Sequence, residues 1–442
     1  MTYLVSIAAL VALFAIATAT PVNMGVLAFA AAFVLGPLLS GLSTEDILGE
    51  FPANIFVIVV GITLLFGIAR SNGTIDLVIT GLLKLVRGRR WAIVWLMFVL
   101  GAILMSLGSV LAVGMLAPIA MPIAKRYRID PLLMGMMISH GVLGAAFSPI
   151  TVYGAFVTGW LADAGLPSNT LAIYLLPLGL NFVMAAVLFL VRGRDLLRGT
   201  AVPDDEPSPS SGAPAAAPAA TTVAAQMATA TVPVLSTQDD EQPGFTPLRV
   251  LTLCGMLGLF VSAAVFGVDV GVASICIAAV LLVIAPQQHK TAVDHVSWSA
   301  IVLVCGMLTY MGVLEQNGTL AYLGEAAFNL GAPLVTALVL CLAVAAISAI
   351  GSSIGTLGIV LPLAAPLLAG GHLPTTALVA ALAFCTVVVD VSPFSSNGVM
   401  VLANAQVDDR EAFQRRLLRY CGLTVLAAPA LAGLAILLPA TT

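Results

Sequence analysis

The stretch GITLLFGIARSNGTIDL, from Gly61 to Leu77, has a second copy 245 residues on, GMLTYMGVLEQNGTLAY, from Gly306 to Tyr322. Each is an apolar run carrying Asn-Gly-Thr near its end. Beyond it the likeness continues at an offset of 244, pairing Ser109 with Ser353, Gly114 with Gly358, Pro118 with Pro362 and Pro122 with Pro366. Farther on, Ser148-Pro149 matches Ser392-Pro393 and Gly154 matches Gly398. Shared apolar composition would align apolar residues with one another. It would not keep proline on proline and glycine on glycine from residue 61 to residue 154. The chain therefore reads as two copies of one unit, residues 1–198 and 247–442.

Composition defines the surroundings of those copies. Of 442 residues, 60% are hydrophobic and 9% charged, with mean hydropathy +1.10, whereas a soluble globular chain is about one quarter charged. So few ionisable groups cannot keep a surface in water, and several apolar runs are long enough to cross a hydrocarbon layer of about 30 Å. Transmembrane β-strands alternate apolar and polar residues, and these runs do not. The fold class is an all-α polytopic membrane protein, surrounded by lipid bilayer. The first run, Tyr3 to Ala19, has no Lys or Arg before it and so lacks the basic start of a cleavable signal. The six cysteines, Cys254, Cys276, Cys305, Cys341, Cys385 and Cys421, lie in apolar segments without metal-type spacing and read as small packing residues.

Ten candidate spans follow: 3–19, 23–41, 53–70, 131–162, 171–191, 249–267, 270–286, 299–315, 375–403 and 421–439. Residues 199–246 are rich in Ala, Pro, Ser and Thr, with Asp204, Asp205, Glu206, Asp239, Asp240 and Glu241. They show no periodicity and are expected to be a disordered linker between the copies. Two more apolar regions, 91–124 and 333–369, are interrupted near their middles. Taken as re-entrant hairpins, they leave five crossings in each copy, and an odd number inverts the second copy. Under that count all 17 Lys and Arg residues fall on one side. The other side receives Glu45, Asp46, Glu50, Asp163, Asp269, Glu315 and Glu325. By the positive-inside rule the basic side is cytoplasmic. Both termini are then outside a cytoplasmic (inner) membrane, with the linker inside.

The interruptions carry the chemistry. In the first hairpin the helix breaks at Ser106-Leu107-Gly108-Ser109, and in the second at Ser348 to Thr356, which includes Ser352, Ser353 and Thr356. Two spans are broken as well, at Ser148-Pro149-Ile150-Thr151-Val152-Tyr153-Gly154 and at Ser392-Pro393-Phe394-Ser395-Ser396-Asn397-Gly398. Unwound backbone inside a membrane is tolerated only where protein or a water-filled cavity satisfies it. Helix ends aimed at one point attract ions. Duplicated units with discontinuous helices are the plan of secondary transporters, whose substrate sites lie where the breaks meet. The expected substrate-binding residues are Gly108, Ser109, Ser148, Thr151, Ser352, Ser353, Ser392, Ser395 and Asn397. Asp390, two residues before Ser392, is an intramembrane carboxylate and a functional candidate by default. With Thr356 and His140 it makes up the expected cation or coupling group.

These features resemble the ion transporter superfamily, in particular its divalent-anion/sodium symporters. ARSNGTIDLVITGLLKLVRGR, LAPIAMPIAKRYRIDPLLMGMMISHG and FSPITVYG resemble the N-terminal region of MatC-type dicarboxylate (malonate) carriers over about residues 1–160. The resemblance implies uptake of a small dicarboxylate such as malonate or succinate by cation-coupled symport. It also implies a cytoplasmic first hairpin, an extracytoplasmic second hairpin, elevator-like movement and often a homodimer. Aligned from Pro118 and Pro362, the symporters' Ser-Asn-Thr tips fall on Gly108-Ser109-Val110 and Ser352-Ser353-Ile354. The tip Asn is thus Ser in both copies. A sodium ion, if used, is expected near Ser109 and Ser353, and a dicarboxylate must lean on backbone amides and hydroxyls.

No Lys or Arg lies in a hairpin or a break. A dianion entering beside Asp390 must bring cations with it, Na+ or H+. No other cofactor and no nucleic-acid partner are expected. An enzyme is not: an intramembrane hydrolase needs a Ser-His or paired-Asp site, and Ser148 with His140 is the only thin candidate. An ion/proton antiporter or oxyanion extruder of the same fold is the alternative. Reporter fusions are expected to place residues 199–246 in the cytoplasm and both termini outside. Labelling of the linker from outside intact cells would refute the five-crossing count.

Overall fold

The computed structural model describes residues 2–20, 22–83, 89–197, 246–266, 268–288, 291–319, 322, 333–351, 353–369 and 373–441. Their regular structure is helical throughout. The expected linker, apart from Thr246, lies outside the described residues, as do Ser352 and Glu325. In the first copy the helices are α1 (Thr2–Ala19), α2 (Met24–Ser40), α3 (Thr44–Gly49), α4 (Ala53–Ser71), α5 (Thr74–Leu83), α6 (Arg90–Ser106), α7 (Ala112–Arg126), α8 (Pro131–Gly144), α9 (Val152–Asp163) and α10 (Thr170–Arg192). The second copy gives α11 (Pro247–Phe266), α12 (Val270–Ile284), α13 (Trp298–Gln316), α14 (Pro333–Ser348), α15 (Ser353–Ala369), α16 (Thr375–Val387), α17 (Ser396–Asn404) and α18 (Arg410–Ala432).

Helix starts follow capping chemistry. Asn23, Asp130, Asn169, Asp269 and Asp409 each accept a first-turn amide, and Ser43 forms a capping box with Asp46. One boundary differs from the sequence reading. The last span, expected at 421–439, belongs to a helix that begins at Arg410, because Asp409 receives the Ala412 amide at 2.8 Å. Its first turns carry arginines, and Arg416 donates to Asp130 at 2.7 Å. Asp130 also receives Arg192 at 2.9 Å, so one carboxylate ties the start of α8 to the end of α10 and to α18.

Five helical stretches among the described residues are long and apolar enough to cross a membrane: 53–71, 131–162, 170–192, 298–316 and 410–440. The hairpin helices α6, α7, α14 and α15 have 17, 15, 16 and 17 residues, like the other short apolar helices α2 and α12, with 17 and 15. Helices α6 and α7 form the first hairpin. At its open end Arg90 donates from Nε to the Tyr127 carbonyl at 2.8 Å and from a guanidinium nitrogen to that of Arg128.

The copies match in local geometry and grip each other. Asn72 Oδ1 accepts from the amide and hydroxyl of Thr74, and Asn317 does the same for Thr319. Each Asn then crosses to the first helix of the other copy, Asn72 to Thr252 at 2.8 Å and Asn317 to Ser6 at 3.1 Å. The helices cross at small residues, Gly25 against Gly306, and Gly61 against Gly271 and Ser274. A Cβ on Gly306 would lie 2.1 Å from the Gly25 carbonyl oxygen, and one on Gly61 would lie 3.0 Å from that of Gly271. Small residues let backbones approach this closely.

The innermost helices are α8 and α16. Leu132 to Gly144 and Ala377 to Val387 are buried without interruption. A helix that is apolar on every face belongs in the middle of a bundle, which sets the two broken helices at the centre of the molecule. Gly306→Ala is expected to lower the melting temperature in detergent, with a loss of about 1–3 kcal/mol for overpacking. Gly422→Ala, where an added Cβ meets nothing within 4 Å, serves as the control. Equal melting of the two variants would refute the close crossing.

Candidate functional site

The two breaks in α8–α9 and α16–α17 are built alike. Helix α8 stops at Gly144, well before Pro149, and Ser148 is extended (ψ 143°), as a residue preceding proline tends to be. The Thr151 amide then donates to the Ser148 carbonyl at 3.0 Å, and its hydroxyl turns to the same oxygen at 2.8 Å and to the Ala146 carbonyl. That hydroxyl also accepts the Gly154 amide at 3.0 Å and so starts α9. In the second break the Ser395 amide donates to the Ser392 carbonyl at 3.0 Å, and its hydroxyl does so at 2.7 Å. Ser395 Oγ accepts the Gly398 amide at 3.4 Å. A Cβ on Gly154 would lie 2.0 Å from the Ser148 oxygen, and one on Gly398 1.8 Å from the Ser392 oxygen. Glycine is required at both.

The first hairpin tip turns through Gly108, at φ +103°. Its shoulder is held by the first break, since Ser148 Oγ donates to the Ser106 carbonyl at 2.8 Å. Ser106 Oγ meets the Tyr174 hydroxyl at 2.9 Å. At the second tip Ser348 Oγ donates to the Thr386 carbonyl at 2.7 Å and lies 3.2 Å from Ser353 Oγ. Ser353 and Thr356 were expected within the interruption, but both stand in the first turn of α15. The unwound stretch is shorter than the serine-rich sequence suggests.

All four interruptions meet at one buried cavity of about 40 Å³. The first hairpin contributes Met105 and Val110, the first broken helix Val142, Leu143, Ala146, Val152 and Tyr153. The second hairpin adds Ser353 and Ile354, the second broken helix Asp390, Ser396 and Asn397, and α13 adds Ala300. Four positions line it twice, once from each copy, at the offset of 244: Val110 with Ile354, Ala146 with Asp390, Val152 with Ser396 and Tyr153 with Asn397. The first copy's wall is largely apolar. The second copy's wall holds oxygen atoms. Asp390 Oδ2 accepts from Asn397 Nδ2 at 3.1 Å, which leaves the Asn397 carbonyl oxygen for another partner. The hydroxyls of Ser353 and Ser395 face the same carboxylate. Among the described residues lining it, Asp390 is the one carboxylate and none is Lys or Arg.

Of the other expected site residues, Gly108, Ser109, His140, Ser148, Thr151, Thr356, Ser392 and Ser395 are buried but not part of the lining. Ser109 Oγ turns to Met115 Sδ at 3.7 Å, and Thr151, Ser148 and Ser395 bond to backbone. Ser392 Oγ accepts the Phe394 amide at 3.2 Å. His140 stands outside the lining and bridges three helices, with Nδ1 2.9 Å from Asn181 Oδ1 and Nε2 2.5 Å from the Tyr420 hydroxyl. Asn181 Nδ2 donates to the Pro177 carbonyl, so Oδ1 receives the imidazole N–H and Tyr420 donates to Nε2. The sequence reading missed Tyr153 and Tyr420. Tyr153 could have been found, because it is the copy-one equivalent of Asn397.

A helical membrane protein with discontinuous helices meeting at a central polar cavity has the architecture of a transporter. Residues 1–146 match the family described as dicarboxylate carrier protein MatC N-terminus, and residues 247–427 match the Na+/H+ antiporter family. No curated protein matches the chain. The chain is a multi-pass membrane transporter of MatC-type resemblance, and not an enzyme.

Ser353→Leu is expected to fill the cavity and cut transport at least tenfold without loss of expression, whereas Ser109→Ala is expected to leave transport within about twofold, losing only a weak sulfur contact. Initial uptake rates in vesicles holding equal amounts of each variant check this. Equal losses in both would mean that the first tip enters the site as fully as the second.

Proposed function

We propose that the chain takes up a small dicarboxylate of the malonate or succinate type by symport with a cation, Na+ or H+, and that Asp390 holds the cation. The carrying observation is the single cavity on which all four interruptions converge, with one carboxylate and no base on its walls. At about 40 Å³ it has room for roughly three waters, or for one desolvated cation. A dicarboxylate requires the walls to part. A buried carboxylate without a basic partner is costly, and a bound cation or proton removes that cost as the anion arrives. The match of the first 146 residues to a dicarboxylate carrier supports the substrate class.

In this reading the copies are inverted repeats of five crossings with re-entrant hairpins, in a cytoplasmic membrane with both termini outside. The hairpin ends pinned by Arg90 support re-entry. A homodimer is the expected assembly. Sodium/proton antiport is the second reading, favoured by the match of residues 247–427 to the antiporter family and by a lining that suits a cation alone.

Counterflow of labelled malonate in vesicles, against imposed sodium or proton gradients, tests the proposal. Uptake is expected to follow one of the two gradients and to lose that dependence in Asp390→Asn, with substrate binding kept or tightened because the like charge is gone. Proton efflux driven by sodium, without malonate movement, would establish the second reading instead.

A further inference from the structure

The duplication supplies an internal control for the cavity. Any position in one copy has a counterpart in the other, 244 residues away, and at four positions both counterparts line the same space. Around Asp390 the second copy gathers oxygen donors: the carboxylate, the freed Asn397 carbonyl oxygen, and the Ser353 and Ser396 hydroxyls. At the equivalent positions the first copy presents Ala146 for Asp390, Tyr153 for Asn397 and Val152 for Ser396. Ser109, which answers to Ser353, is outside the lining and turned to Met115. The backbone geometry of the two breaks is nevertheless the same, down to the hydroxyl cap and the glycine behind it. The frame for two sites is present, and the ligands for one.

We infer that the cavity binds a single cation per chain, at a half-site made by the second copy alone, and that the first copy's half-site has been replaced by an apolar wall. The inference rests on the cation-coupled reading above and fixes its stoichiometry. A cation stripped of water needs several oxygen atoms around it; the Ala146 and Val152 side chains offer none, and Tyr153 offers one hydroxyl against the four side chains of the second copy. A doubly charged anion carried with one monovalent cation moves with a net charge of −1, so uptake is electrogenic. An inside-positive potential accelerates it, whereas coupling to three cations would make an inside-negative potential the accelerating one.

Equilibrium binding of radioactive sodium to the purified full chain in nanodiscs is the first measurement. One ion per chain is expected, and none in Asp390→Asn. Two ions per chain, or one that survives Asp390→Asn, overturns the inference. If the wild type binds no sodium, the same count is made for protons, with a pH dye reporting uptake per malonate transported. One proton supports the inference, and two or none overturns it. The second measurement restores the missing half-site with Ala146→Asp and Tyr153→Asn. The double variant, whose Tyr153→Asn change also enlarges the cavity, is expected to bind two cations per chain, the second more weakly because like charges repel. If it does not fold, the potential dependence of wild-type malonate uptake decides: acceleration by inside-positive potential supports a single cation, and acceleration by inside-negative potential excludes it. A chain that binds one sodium ion and moves no malonate would refute the dicarboxylate reading while leaving the single site intact.

Discussion

Backbone that leaves a helix inside an apolar bundle must find new partners for its amides and carbonyls, because each one left bare costs several kcal/mol. Here one side-chain hydroxyl meets that demand in each broken helix. Thr151 and Ser395 each donate to the carbonyl three residues back and accept the amide three residues on. The glycines that follow leave room for that carbonyl, since any Cβ would collide with it. The consequence reaches the ligand. Hydroxyls that hold the breaks are not available to a substrate, and the side-chain oxygens on the cavity wall are those of Tyr153, Ser353, Asp390, Ser396 and Asn397.

The two copies depend on each other in the same way. Each Asn-Gly-Thr turn docks on the other copy's first helix, and the glycine crossings pair α2 with α13 and α12 with α4. Such an exchanged interface makes neither copy complete alone. The breaks are therefore pressed together by the packing of both copies, and the cavity they enclose is a property of the pair. Against that common frame, the positions where the copies differ acquire meaning. Asp390 against Ala146 and Asn397 against Tyr153 are where the two copies present different side chains to the same cavity.

Much of this was legible in the sequence because proline and glycine fix backbone geometry wherever they stand. Pro149 and Pro393 marked the breaks, and Gly154 and Gly398 marked the return to helix. Asp390 stood out because a carboxylate among apolar residues has few structural uses. The serines were less informative. A hydroxyl that caps a helix and one that binds an ion have the same one-letter code, and only the geometry shows that Ser148 bonds to Ser106 while Ser353 lines the cavity. Tyr420 as the partner of His140 was beyond reach, since 280 residues separate them and nothing local announces the contact.

Electrostatics decides how an anion could share so small a space with Asp390. Two like charges about 4 Å apart repel by roughly 4 kcal/mol at an effective dielectric constant near 20, which weakens binding by close to a factor of 1,000. No Lys or Arg among the described lining residues offsets that repulsion. Hydrogen bonds from hydroxyls and amides to an ionised group contribute about 1.5–3 kcal/mol each, and most hydroxyls here are already engaged with backbone. A cation at Asp390 neutralises the carboxylate, removes the repulsion at once and becomes part of the surface that the anion meets. In the symport proposed above, the order of binding would be cation first, anion second. Such coupling would need no separate device, because an empty cation site would itself be the repulsive element that keeps the anion out.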